Sequence, residues 1–434
     1  MAVTVTERPG QQSPDFHKNV TVAILRAMFG RGFRQGFAIE LWDGTTIPAH
    51  GEPRFTFIVR DPAGLRLMLR PPVHLNAGRA FVDGMLDCAG DLEALIALFY
   101  DRIADASKAD LLSILQLVLQ LPKPPDVGRP AEARLRGRLH SLARDRDAIG
   151  FHYDHPVEFY RAFLDPQMVY SCAYFDDGIS SLEAAQAAKI DYLLRKLRLE
   201  PGERLLDIGC GWGALVIRAA QRFGAQAVGV TLSAAQHREA DRRIKALGLE
   251  HRACVNFCDY RELRAEQPFD KIVSVGMFEH VGRARLGEYF RTAAALLRPG
   301  GLFANHGIAD QSPGRKGGRI GGFVERFVFP DGELVPVSDA LGIAERAGLE
   351  IRDVENLREH YTMTLRAWVA NLELNRDLAV ASGGERAYRT WRLYMAGSAQ
   401  GFASGRLGVF QSLLAKPDPA GRAVVPATRR DLYA

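Results

Sequence analysis

The segment "LLDIGCGWGAL" limits the fold more than any other stretch of the chain. Core residues of "ERLLDIGC" (Glu203 to Cys210) run into glycines at 209, 211 and 213, and the helix-like "ALVIRAAQRFG" follows, ending at Gly224. A strand, a glycine turn and a helix in that order belong to an open α/β sheet, because glycine lets backbone N–H groups approach a ligand at a helix N-terminus. The alternation continues. "AQAVGVTL" (Ala225 to Leu232) is a second strand, and Ser233 opens a helix with Gln236 three residues on, the spacing of a capping box. "ACVNFCDY" and "FDKIVSVGMFEH" are a third and a fourth strand. After "RLGEYFRTAAALL" and the turn "RPGG", "LFANHGI" is a fifth, and "EIRDVEN" and "GVFQSLLAK" are later ones. Strands and helices at these intervals predict a parallel sheet with crossover helices from about Phe151 onward.

At 434 residues the chain exceeds one ordinary core. "LPKPPDVGRP" (Leu121 to Pro130) interrupts regular structure, and before it "FAIELWDGTTI" and "PRFTFIVRDP" alternate as strands while "LEALIALFYDRI" has helical spacing. The expected organisation is a smaller α+β domain over 1–120, a Pro-rich and basic linker over 121–150, and the α/β domain over 151–434.

Several classes are disfavoured. No apolar run approaches the ~20 residues that span a bilayer, and "MAVTVTERPGQQSPDF" lacks the pattern of a secretory signal, so a cytoplasmic location is expected. The five cysteines, Cys88, Cys172, Cys210, Cys254 and Cys258, are odd in number and not in C-x-x-C spacing, which predicts reduced thiols and no metal site. A net charge of +5 does not imply a nucleic-acid binder. The arginine-rich "GRPAEARLRGRLHSLARDRD" (Gly128 to Asp147) can attract phosphates or be a solvated face.

The glycine turn also discriminates between cofactors. Its third glycine comes one residue early for G-x-G-x-x-G, and Thr231 and Ser233 stand where a nicotinamide site would place an acid for the ribose. Asp207 before the turn suits instead an S-adenosylmethionine methyltransferase, where a carboxylate supports the turn that holds the cofactor's amino-acid end.

"YSCAYF" (Tyr170 to Phe175), "LLDIGCGWGAL", "GVTLSAAQ", "FDKIVSVGMFEHVG", "NHGI" and "NLREHYTMTLRAW", in this order and at these intervals, resemble the cyclopropane-fatty-acyl-phospholipid synthases and their mycolic acid cyclopropane synthase relatives over roughly Phe151 to Lys416. "NAGRAFVDGMLDCAGDLEALIALF" is similar more loosely to the family's preceding segment and departs from its Gly-Glu-x-Tyr-x-Asp-Gly-x-Trp pattern. The resemblance implies a class I, Rossmann-like methyltransferase with a seven-stranded, mostly parallel sheet. It implies methylene transfer from S-adenosylmethionine to the cis double bond of an unsaturated phospholipid acyl chain, through a carbocation deprotonated by bound bicarbonate. The matching cofactor positions are Tyr170, Ser171, Asp207, Gly209, Gly211, Gly213, Thr231, Leu232, Ser233, Gln236, Asp259 and Tyr260. Those that match the bicarbonate site are Cys172, Glu279, His306, Ile308 through its backbone, and Tyr361. The implied partner is the acyl chain at the inner membrane surface, approached peripherally and without nucleic acid, and a homodimer stays open.

Related enzymes that leave a methylene or methyl branch share these motifs, and a non-catalytic lipid-binding protein of the same fold is a further alternative. Each assignment has a plainer competitor: Cys172 as a buried thiol, His306 as a core histidine, Tyr361 as a helix-start aromatic, Gln236 as half of the capping box, Asp259 and Tyr260 as turn residues. The fold expectation is that Glu279 sits at the carboxyl end of the fourth strand and His306 and Ile308 at that of its neighbour, where open α/β sheets bind ligands. A carboxylate there requires partners. His280 is expected to be structural.

Overall fold

The computed structural model describes residues 14–105, 108–125, 132–312, 318–319, 322–423 and 425–432. It divides into two compact units, Met1–Glu132 with Glu385–Gln400, and Ala133–Gly384 with Gly401–Ala434.

The first unit is built on a four-stranded sheet of β1 (Gln35–Leu41), β2 (Thr46–Ile47), β3 (His50–Val59) and β4 (Leu86–Gly90), in the order β2-β1-β3-β4. Alternation places Phe37, Phe55 and Phe57 inside, and the Phe37 and Phe55 rings stack with centroids 5.3 Å apart. The unit takes in most of the helix Glu385–Ala403, which a division at residue 151 assigns to the other domain. The reason is electrostatic: buried Arg389 donates to Phe81 O at 2.6 Å and Leu86 O at 2.7 Å and pairs with Asp87 at 3.0 Å. A guanidinium drawn out of water needs such partners close by.

The second unit carries β5 (Arg204–Ile208), β6 (Gln226–Thr231), β7 (Ala253–Phe257), β8 (Phe269–Val275), β9 (Leu297–Asp310), the short pair β10 (Gly318–Arg319) and β11 (Glu333–Leu334), β12 (Glu350–Asn356) and β13 (Leu407–Ala415). Seven of these strands form one sheet in the order β12-β13-β9-β8-β5-β6-β7, in which only β13 runs against its neighbours. Both faces are covered. Leu205 and Val273 pack with the helices Leu182–Lys196 and Ala214–Phe223, while Leu206 and Ile272 pack with Leu286–Leu296 and Val337–Arg346. Strands buried on both faces explain the near-continuous apolar runs of the sequence.

Three local expectations change. The fourth strand ends at Val275, short of Glu279: Gly276 has φ +68, and a 3-10 turn over Phe278–His280 carries the glutamate. A helix, Leu142–Tyr153, begins inside the expected linker and runs past its end at residue 150. The basic stretch is also partly neutralised, since Arg144 pairs with Asp331 at 2.5 Å while Arg134, Arg136, Arg138 and Arg146 are exposed; Arg129 lies outside the described residues. Among the described residues no helix is long and apolar enough to cross a membrane.

Candidate active site

The glycine turn forms one wall of a cleft at the carboxyl ends of the parallel strands. Gly209, Gly211 and Gly213 have φ of +83, +52 and +81, a region costly for any residue with a Cβ. The turn is tied across the sheet by the N–H groups of Gly209 and Cys210, both donating to Val230 O at 3.0 Å. Gly213 caps the helix Ala214–Phe223, and a Cβ there would meet the Ala240 Cβ at 3.1 Å.

The cleft encloses about 140 Å³. Of the residues expected to hold the cofactor, all but Gly213 and Ser233 line it. Those two stand behind it, at helix N-termini. Ser233 Oγ accepts from the N–H of Gln236 at 3.2 Å, as the capping box requires, but the return arm differs. Thr231 Oγ1 donates to Gln236 Oε1 at 2.7 Å and itself accepts the Ser233 N–H at 3.1 Å, so the three side chains lock one corner of the cleft.

Burial sets the charge of the cleft. Asp207 at the end of β5 is pushed up to about 7 by desolvation, with Lys189 opposing the shift. Lys189 is pushed down to about 8 by its own burial, against Cys172, Asp165 and Asp207. Its Nζ donates to Ser171 Oγ at 2.9 Å, and the Gln186 amide donates to Ser171 O at 2.8 Å. These two residues hold the "YSCAYF" segment in place. At the other end Arg261 grips both oxygens of Asp259, at 2.8 and 2.7 Å, and also reaches Asp145 at 2.8 Å.

Lys189, Arg261, Asp145, Tyr153 and Trp212 are lining residues that motif reading missed. The lysine lies in an ordinary-looking helix, and Asp145 and Tyr153 lie in the helix hidden inside the arginine-rich stretch. His280, expected to be structural, also lines the cleft; burial pushes it down to about 4, with Asp145 opposing and His140 adding to the shift.

None of the second group of expected residues, Cys172, Glu279, His306, Ile308 and Tyr361, lines this cleft. Glu279 Oε1 accepts the Ile308 N–H at 2.6 Å, beyond the point where β8 has stopped pairing with β9. Ile308 thus spends its N–H on Glu279, in place of the direct contact with an anion that was expected. Glu279 Oε2 is buried without a hydrogen-bond partner, and so are both ring nitrogens of His306. Desolvation pushes Glu279 up to about 7 against the pull of the Ile308 N–H. It holds His306 well below the usual imidazole range, with Lys189 and Lys196 adding to the effect.

Two further contacts join this group to the helix Arg358–Leu374 and to Leu357, which caps it. The Cys172 Sγ–H faces Ala173 O at 3.2 Å and Leu357 O at 3.8 Å, and the Ala173 N–H donates to Thr364 Oγ1 at 3.0 Å. Desolvation raises the Cys172 thiol, which makes it a neutral buried group and a poor nucleophile. Tyr361, one turn into that helix, packs its ring 4.7 Å from Phe402.

A seven-stranded sheet of this order, with a glycine turn and an acid at the end of its first strand, defines a class I methyltransferase. The family model described as mycolic acid cyclopropane synthetase matches residues 140–412. The chain belongs to this family, the cyclopropane synthase branch of the S-adenosylmethionine-dependent methyltransferases. It is 40% identical over 397 residues to a probable fatty acid methyltransferase of Pseudomonas putida, covering 91% of this chain and 95% of that one. It is 36% identical over 277 residues to cyclopropane mycolic acid synthase 3 of Mycobacterium tuberculosis, 61% of this chain and 95% of that one. The crystal structure of mycolic acid cyclopropane synthase CmaA1 complexed with SAH and CTAB superposes with a TM-score of 0.59 at 34% identity, covering 62% of this chain and 98% of that one.

Proposed function

We propose that the chain transfers a methylene group from S-adenosylmethionine to the cis double bond of an unsaturated phospholipid acyl chain, closing a cyclopropane ring. The observation that carries this reading is that Glu279 and His306 are both buried, with Glu279 Oε2 and both imidazole nitrogens unpartnered. Such atoms cost about 1–3 kcal/mol each unless a ligand satisfies them. A small anion with its own O–H fits the donor set: neutral His306 offers one donor and one acceptor, and Glu279, poised near neutrality, either accepts that O–H or donates a proton of its own.

S-adenosylmethionine, when bound, supplies an electrophilic methyl group, and the glycine turn, Asp207 and the Thr231–Gln236 corner would hold it. An alkene is a weak nucleophile, so these residues have to fix the approach and keep water out. Glu279, His306 and Tyr361 would hold a bicarbonate ion, whose chemistry is that of the base that closes the ring. Exposed Arg134, Arg136 and Arg138 support work at a phosphate-bearing membrane surface.

A second reading, transfer that leaves a methyl or methylene branch, draws support from the near-full-length likeness to the probable fatty acid methyltransferase. Depleting carbonate from the assay tests the anion site. Turnover should fall and recover on adding bicarbonate, and turnover indifferent to bicarbonate would count against it.

A further inference from the structure

A row of side chains crosses the sheet at a single register. Glu355 on β12 faces Gln411 on β13, Gln411 faces His306 on β9, and His306 faces Val275 on β8. Residues directly opposite one another in a sheet point to the same face, with Cβ atoms about 4.5–5.5 Å apart. On that face the buried Lys196 Nζ donates to Gln411 Oε1 at 2.9 Å and also to Glu355.

An ammonium has three donors and no acceptor. The Gln411 atom turned towards Lys196 is therefore its oxygen, and Nε2 is the atom left over. That nitrogen has no hydrogen-bond partner although Gln411 is 2% exposed. Its cross-strand neighbour His306, also 2% exposed, has no partner at either ring nitrogen. One is an obligate donor, and the other, when neutral, has one nitrogen that must accept.

We propose that Gln411 is a positioning residue for His306: its Nε2–H donates to one imidazole nitrogen, so that the ring's single proton stays on the other nitrogen and faces the reaction site. A side-chain rotation closes the contact, and Lys196 keeps the amide from turning over, because an inverted Gln411 would press its NH₂ against the ammonium. This inference rests on the proposed reading of His306 as part of the reaction site. It concerns a different link, from Lys196 through Gln411 to the imidazole.

The test is heteronuclear NMR of the full chain labelled with the heavy nitrogen isotope in its histidine rings, with H306Q identifying the His306 signals. The wild type should show one neutral tautomer of His306. Q411E keeps an oxygen for Lys196 and puts a charged acceptor where the donor was, so His306 should leave the wild-type tautomer and turnover should fall about 10- to 100-fold, the size that outer partners of metal-bound histidines reach, with the KM for S-adenosylmethionine unchanged. A mixture of tautomers in the wild type, or an unchanged tautomer in Q411E, overturns the proposal. Undiminished turnover in H306Q overturns instead the reading of the site, and leaves the tautomer result to judge Gln411 by itself.

Discussion

Glu279 takes the backbone N–H of Ile308 at 2.6 Å with one carboxylate oxygen and leaves the other buried and unpartnered. The contact is possible because β8 stops at Val275 and the 3-10 turn folds the glutamate back onto the still-extended β9. One oxygen fixes the group, and the other stays without a partner.

Replacing Glu279 with Gln keeps the shape and an acceptor for Ile308 but removes the ionisable oxygen. Turnover should fall at least ~10²-fold, the usual cost of losing one placed charge-stabilising group, while SAH affinity by calorimetry stays within about twofold of the wild type. Equal losses in both would show that Glu279 supports the cofactor cleft and not a separate anion site.

The same residue should leave a mark on stability. Its carboxyl is raised from 4.5 to about 7 in the folded chain, so the folded state binds the proton more tightly than the unfolded one. This contribution is present below the unfolded pKa and is lost as pH rises through the folded value. E279Q has no such loss. In ligand-free protein the stability of the variant relative to wild type should therefore rise between about pH 4.5 and 7, by roughly 3 kcal/mol in all at ~1.4 kcal/mol per pKa unit. Denaturant titrations across that range check it, and a flat difference would refute the buried carboxyl.

Lys189→Met should loosen the cofactor. It removes the donor to Ser171 Oγ and the charge that opposes the upward shift of Asp207. The Kd for SAH should rise about tenfold, ~1.4 kcal/mol, and an unchanged Kd would leave Lys189 a purely structural lysine.

Gly307→Ala should disturb the turn that carries Glu279. A Cβ at 307 would fall 2.0 Å from the Phe278 ring, so either the ring or β9 has to move. Overpacking of this kind costs about 1–3 kcal/mol. Thermal melting should show the loss, and turnover should fall further than in a control of similar stability, because Phe278 adjoins Glu279.

Much of this arrangement was legible in the sequence, for identifiable reasons. The glycine turn, Asp207 and the Ser233 cap are local signals with fixed spacing. Glu279 comes to the Ile308 N–H because alternating strands and helices make β8 and β9 parallel neighbours. Other features depend on contacts far apart in the chain. Arg389 draws its helix into the first unit through carbonyls some 300 residues away in sequence. Lys189 and Gln411 look like ordinary helix and strand positions until burial strips them of water. The helix Leu142–Tyr153 has a weak apolar pattern, so its arginines masked the cleft-lining Asp145 and Tyr153.

The most direct test is the product itself. Purified protein should be incubated with S-adenosylmethionine and vesicles of a cis-monounsaturated phospholipid, and the released acyl chains analysed by mass spectrometry before and after catalytic hydrogenation. The expected products are chains heavier by one CH₂ that hydrogenation leaves unchanged, as a ring requires of a chain with no remaining double bond. Chains of unaltered mass, or heavier chains that take up hydrogen as a branched alkene does, would contradict it.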